Sequence, residues 1–199
     1  MKTIEELLIE VGEDKHQNLT TTSFKFKTEL WEYFQGFEDK IGLEFGTHKG
    51  QTTRIMSFLF KTVHTVNNNE NEKSKELNAD RDNVHHYNFN LYSNAKLPID
   101  DVIDVALIDA GHAYSAVIKD VERVSRMNTA DECYIVFDDY GALEQVRKAV
   151  DDLTSNGIIS PIEFIGHETG HNFGNAVKGG PDRILSAPEG LIAMLNKNE

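Results

Sequence analysis

The stretch Val102-Ile-Asp-Val-Ala-Leu-Ile-Asp-Ala-Gly-His-Ala-Tyr114 decides how the chain folds. Residues 102–108 are apolar on both sides, the pattern of a strand buried on both faces. Asp109, Gly111 and His112 follow at its end, and a helix is predicted over Tyr114–Met127. The same unit recurs downstream: Cys133–Phe137 is a second buried strand, Asp138-Asp139-Tyr140 its end, and a helix runs from about Leu143 to Leu153. Upstream, Ile41–Phe45 leads through Gly46-Thr-His-Lys-Gly-Gln-Thr-Thr53 into a helix ending near Phe60. Thr62–Val66 and Val84–Phe89 read as strands, with weak helical character between Asn69 and Asn78. Pro161–Ile165 and Arg183–Leu185 are expected as closing strands around the Gly-rich stretch 166–180. Strands alternating with helices imply an α/β architecture: a doubly wound, mostly parallel sheet with helices on both faces. Ahead of it, Ile4, Leu7, Leu8 and Val11 form a helical stripe, with Thr3 and Glu6 placed for a capping box. Residues 23–35 read as a second helix, and Trp31, Phe34 and Phe37 as its core. The chain thus divides into an N-terminal helical extension, 1–38, and an α/β domain, 39–199.

Composition narrows the function. The 199 residues are 39% hydrophobic, enough for a sizeable core. The formal charge of −13 argues against wrapping a phosphate backbone, so no nucleic-acid partner is expected. One cysteine, Cys133, excludes an intramolecular disulfide framework and fits a reducing compartment, with the side chain buried in its strand. No run approaches the ~20 apolar residues of a membrane span. The acidic N-terminus lacks a signal-peptide core. A cytoplasmic protein without a membrane partner is expected; a homodimer is left open.

In open α/β sheets ligands sit outside the carboxyl ends of the strands. After the first strand, Gly46 and Gly50 allow a tight turn and close backbone approach, and the next helix offers unpaired N–H groups. Glu44 stands at the strand end, where it can accept from hydroxyl or ammonium groups. The bland alternative is a turn with no ligand. A dinucleotide site would want glycine at position 48 and an acid at position 67; the chain has His48 and Asn67. Asp109, Asp138 and Asp139 stand at two strand ends that are expected to be neighbours. One of them could be a helix cap, but three together call for a hard divalent cation such as Mg²⁺.

The order E-x-G-x-x-x-G-x-T-T, then I-D-A-G-H-A-Y, then F-D-D-Y-G followed by V-R-K-A-V resembles class I S-adenosylmethionine-dependent methyltransferases over roughly residues 40–155. The resemblance is greatest to the small metal-assisted group that includes catechol and macrocin O-methyltransferases and cephalosporin hydroxylase-like proteins. It implies a Rossmann-like sheet with Glu44, Gly46, Thr47 and Gly50 at the methionine end of S-adenosylmethionine. Thr52 and Thr53 would sit beside it, and Asn67 or Asn68 would stand where an acid usually holds the ribose. Asn90 would meet the adenine, and Asp109 would serve both cofactor and metal. Asp109, Asp138 and Asp139 match the metal ligands. His112 falls where catechol-type enzymes carry a lysine base, and histidine titrates in the range that suits proton removal. The implied activity is O-methylation of a small hydroxylated molecule. A fold that binds without turnover, its cofactor pocket degraded at Asn67, is the competing reading.

His167-Glu-Thr-Gly-His171 matches the H-E-x-x-H zinc-protease pattern. That pattern needs a helix, and Gly166, Gly170 and Gly174 disfavour one at roughly 1 kcal/mol each. The segment reads instead as a loop between the closing strands.

Overall fold

The structure, a computed structural model, describes residues 2–12, 22–166 and 188–197. Among these are seven strands: β1 (Ile41–Phe45), β2 (Thr62–Asn67), β3 (Val84–Asn88), β4 (Ile103–Ile108), β5 (Thr129–Phe137), β6 (Ile159–Ile165) and β7 (Gly190–Leu195). They form one sheet in the order β3-β2-β1-β4-β5-β7-β6, in which β7 runs antiparallel to β5 and β6. The order reverses beside β1, so β1 and β4 leave a crevice at their carboxyl ends.

Six helices are described: α1 (Ile4–Glu10), α2 (Phe24–Tyr33), α3 (Gln51–Leu59), α4 (Glu72–Leu77), α5 (Tyr114–Ser125) and α6 (Glu144–Ser155). The two core strands are buried on both sides, as their lack of alternation requires. Leu43, Ala106 and Ile135 join Val117, Val121 and Val150 of α5 and α6 in one layer. Val105, Leu107 and Val136 join Leu30, Phe34, Ile55 and Met56 of α2 and α3 in the other.

The capping box predicted at Thr3 and Glu6 is present. Trp31 and Phe34 are buried as expected, and Phe34 meets Phe37, Phe60 and Tyr134 through ring contacts. Arg54, on α3, joins Glu10 of α1 to Asp80 after α4. The sequence reading missed β7, and its expected strand at Arg183–Leu185, like the His167–His171 motif, lies outside the described residues.

Since Phe34 ties α2 to the sheet, Phe34→Ala should lower stability by about 3–5 kcal/mol in a single transition. Urea unfolding followed by circular dichroism checks this. A separate early loss of helix, leaving the main transition in place, would show that α1 and α2 fold independently.

Candidate active site at the carboxyl ends of β1, β4 and β5

The turn after β1 is built by contact. Gly46 has φ +100°, and its N–H donates to the Val66 carbonyl at 2.9 Å. A Cβ there would stand 1.9 Å from the Asp109 carbonyl oxygen, so only glycine lets β1 and β4 end side by side. Gly50, at φ +80°, caps α3 and lies against Ser74, whose hydroxyl a Cβ would meet at 2.2 Å. With glycine as its cap, α3 begins without a side-chain acceptor for its first amides. Gln51, its first residue, donates through Nε2 to the Val11 carbonyl at 3.0 Å, while its Oε1 is buried without a partner among the described residues.

Glu44 is fully enclosed and accepts from the Thr53 and Thr65 hydroxyls. Burial pushes its carboxyl up to about 8; the two hydroxyls oppose this, nearby Asp109 adds to it and Lys27 opposes it. Thr47 bonds Thr65 at 2.6 Å, and Thr52 bonds Thr22 at 3.1 Å. Thr53 and Thr52 therefore serve to hold Glu44 and the entrance to α2.

At the next two strand ends the amides hold their own loops. Asn67 donates to the Asn69 carbonyl at 2.9 Å, and the Asn90 side chain accepts from the Tyr92 N–H at 3.0 Å. Asn68 and Asn90 are exposed. A small cavity of about 70 Å³ opens here, lined by Thr47, Thr65, Asn67, Lys75 and His86 among others.

Beside these, β4 and β5 bring acids together. Asp109, His112 and Asp139 each offer a ligand atom within 4.8 Å of the others. His112 Nε2 is 3.2 Å from Asp139 Oδ2 and 3.7 Å from Asp109 Oδ1. Asp109, foremost, and then the Asp139 charge raise the imidazole against its burial. Asp139 has φ +60°, a left-handed backbone that costs a non-glycine residue about 1–3 kcal/mol and turns its carboxylate toward His112. Burial pushes its pKa up to about 6, with His112 opposing. Asp138 is buried deeper and lies outside this group, its Oδ1 without a partner among the described residues. Burial, together with Asp139, Asp109 and Glu189, holds it well above the usual carboxylate range.

The geometry thus brings together two of the three expected metal ligands and the expected base. Glu189 and Gln51 were missed. Glu189, just before β7, is buried and accepts from the Ser23 N–H at 2.7 Å and from the Ser23 hydroxyl. The apolar run Leu191–Leu195 could have located β7, and with it Glu189; nothing marked Gln51.

Comparison with known proteins bears on the fold. Residues 43–140 match a methyltransferase domain family. The fold resembles a SAM-dependent methyltransferase from Aquifex aeolicus (TM-score 0.63, 13% identity, covering 98% of this chain and 100% of that one). It also resembles the tRNA (m1A58) methyltransferase TrmI from the same organism (0.64, 17%, 99% and 77%). A third likeness is to the N-methyltransferase NodS from Bradyrhizobium japonicum WM9, in complex with S-adenosyl-L-homocysteine (0.59, 11%, 98% and 98%). No curated protein matches the chain in sequence. The family match covers 98 of the 199 residues, and the solved neighbours show that the Rossmann-like fold is one these methyltransferases share.

The Glu44 shift makes stability depend on pH. Its folded value, about 8, exceeds the ordinary glutamate value of 4.5. Its contribution is therefore fully present below about 4.5 and is lost as pH rises through about 8. In thermal melts from pH 5 to 9, Glu44→Gln should gain on the wild type as pH rises. Parallel curves would refute the assignment.

Proposed function

We propose that the protein transfers a methyl group from S-adenosylmethionine to a hydroxyl of a small molecule, assisted by a divalent cation. The observation that carries this reading is the convergence of Asp109, His112 and Asp139 beside the Gly46–Gly50 turn. The fit to the cofactor rests on the chain's own vacant donors and acceptors. The first amides of α3 have no side-chain partner and suit a carboxylate; the orphaned Gln51 Oε1 is an acceptor suited to an ammonium. Glu44, Gly46, Thr47 and Gly50 would shape that end, with Asn67, Asn68 and Asn90 along the crevice and Thr52 and Thr53 behind it. When bound, S-adenosylmethionine supplies an electrophilic methyl group on a sulfonium.

The two carboxylates of Asp109 and Asp139 suit a hard cation such as Mg²⁺ or Mn²⁺. Asp109 and Asp139 would hold the cation, which supplies Lewis acidity toward the acceptor oxygens. His112 Nε2 takes the acceptor's proton. Its place against both carboxylates orients the ring and stabilises the imidazolium that forms. The buried floor of Glu44 and Asp138 excludes water beneath the reacting atoms. Much of the rate then comes from holding acceptor and methyl donor in line.

Calorimetric titration with S-adenosylmethionine should give micromolar binding, and failure to bind would leave a fold without turnover. Mn²⁺ binding, followed by water-proton relaxation, should weaken by about 10–100-fold in Asp139→Asn while cofactor binding persists. Full Mn²⁺ affinity in both Asp139→Asn and Asp109→Asn would refute the cation site. Loss of Mn²⁺ binding in His112→Ala would make His112 a ligand rather than the base.

A further inference from the structure

The segment 91–100 and the carboxyl half of α5 enclose a cavity of about 700 Å³. It lies away from the crevice. Asn128, part of its lining, accepts through its carbonyl from the Ile103 N–H at 2.9 Å, at the start of β4 rather than its end. Leu91, Leu97 and Ile99, buried members of the core, line it together with Met127. The volume is that of a small-molecule site, and part of the lining is apolar.

The charge of this cavity runs against that of the chain. Lys96, Lys119, Arg123 and Arg126 line it with two acids, Asp100 and Glu122, whereas the chain holds 20 basic and 33 acidic residues. The two acids meet Lys96 at 2.9 Å and Arg126 at 3.4 Å, in exposed pairs that contribute little. Lys119 makes no ion pair among the described residues. Arg123 donates to the Leu91, Ser93 and Ala95 carbonyls at 2.9, 2.6 and 2.9 Å, so its charge meets neutral acceptors. Asp120, buried beneath, accepts none of these bonds, and burial pushes its carboxyl up to about 7 against the Arg123 charge. Lys119 and Arg123 are four apart on α5, where like charges repel across one turn. Arg123 and Arg126 complement the carboxyl end of the helix; Lys119, a turn further back, and Lys96, outside the helix, do not.

We infer that this cavity is a second ligand site, which binds a small amphipathic anion: an aryl or alkyl acid. Its apolar body lies on Leu97, Ile99 and Met127, and its carboxylate or sulfonate meets Lys119 beside Arg123. The anion relieves the repulsion between these two cations, and the Lys119 ammonium gives it a charge-assisted hydrogen bond. The site does not depend on the methyl-transfer reading.

Fluorescence titration with a matched pair of probes tests this: 1-anilinonaphthalene-8-sulfonate and N-phenyl-1-naphthylamine, the same body without the charge. The sulfonate should bind about 10-fold more tightly than the neutral amine, the scale of a charge-assisted hydrogen bond. Lys119→Gln should remove that preference and leave the neutral probe unchanged. Lys25→Gln, an equal loss of charge on α2 across the sheet, should change neither. Ala95→Trp, which adds bulk to the cavity lining, should weaken both probes. Equal affinity of the two probes for the wild type, or a preference that survives Lys119→Gln, would overturn the inference. So would binding undiminished by Ala95→Trp, which would place the probes elsewhere on the protein.

Discussion

The close approach of β1 to β4 at Gly46 is the contact on which the rest of the site depends. The Asp109 N–H donates to the Phe45 carbonyl at 2.8 Å, and the Asp109 carbonyl occupies the place a side chain at position 46 would need. This brings the Gly46–Gly50 turn and Asp109 against each other. A larger residue would have to push β4 away, and Asp109 and His112 would move with it. The glycine is therefore a packing requirement of the sheet as well as an opening for a ligand. Gly190 plays a similar part at β7, where a Cβ would meet the Phe137 carbonyl at 2.6 Å.

The N-terminal helices belong to the site as much as to the core. Thr22 reaches Thr52, Ser23 reaches Glu189, and Gln51 reaches back to Val11, so three ties join this region to the strand ends. Each is short-range and polar, while the mass of the attachment is the apolar face around Phe26, Leu30 and Phe34. Apolar burial supplies most of the stability here, and the hydrogen bonds fix where the chain lies. The result is a sheet end in which Glu44, Asp138 and Glu189 are all buried.

The sheet was legible because it is parallel. Buried parallel strands are continuous apolar runs, and VIDVALI and CYIVF cannot be hidden by alternation. The order of Glu44, Asp109 and Asp138-Asp139 along those strands placed the acids at one edge of the fold before any coordinates. What the sequence could not carry was direction. Adjacent Asp138 and Asp139 look equivalent as letters. The left-handed backbone at Asp139 turns its carboxylate to His112, while Asp138 points into the interior. The freedom of Gly50 serves the packing of Ser74 as well as the turn. Glu189 was hidden because β7 joins the sheet from a distant part of the chain, so its partners Ser23 and Asp138 lie far away in sequence.

Electrostatics then separates the two halves of the crevice. On the β1 side, burial raises Glu44 to about 8 although two threonine hydroxyls and Lys27 oppose it, so the carboxyl already has hydrogen-bond partners of its own. On the β5 side, Asp138 has acids around it and one oxygen unmet. The chain as a whole carries −13, so the surrounding field cannot relieve that local excess and instead deepens it. The acids at the ends of β4 and β5 thus differ in surroundings: Asp109 and Asp139 lie within reach of His112, and Asp138 is buried apart from it.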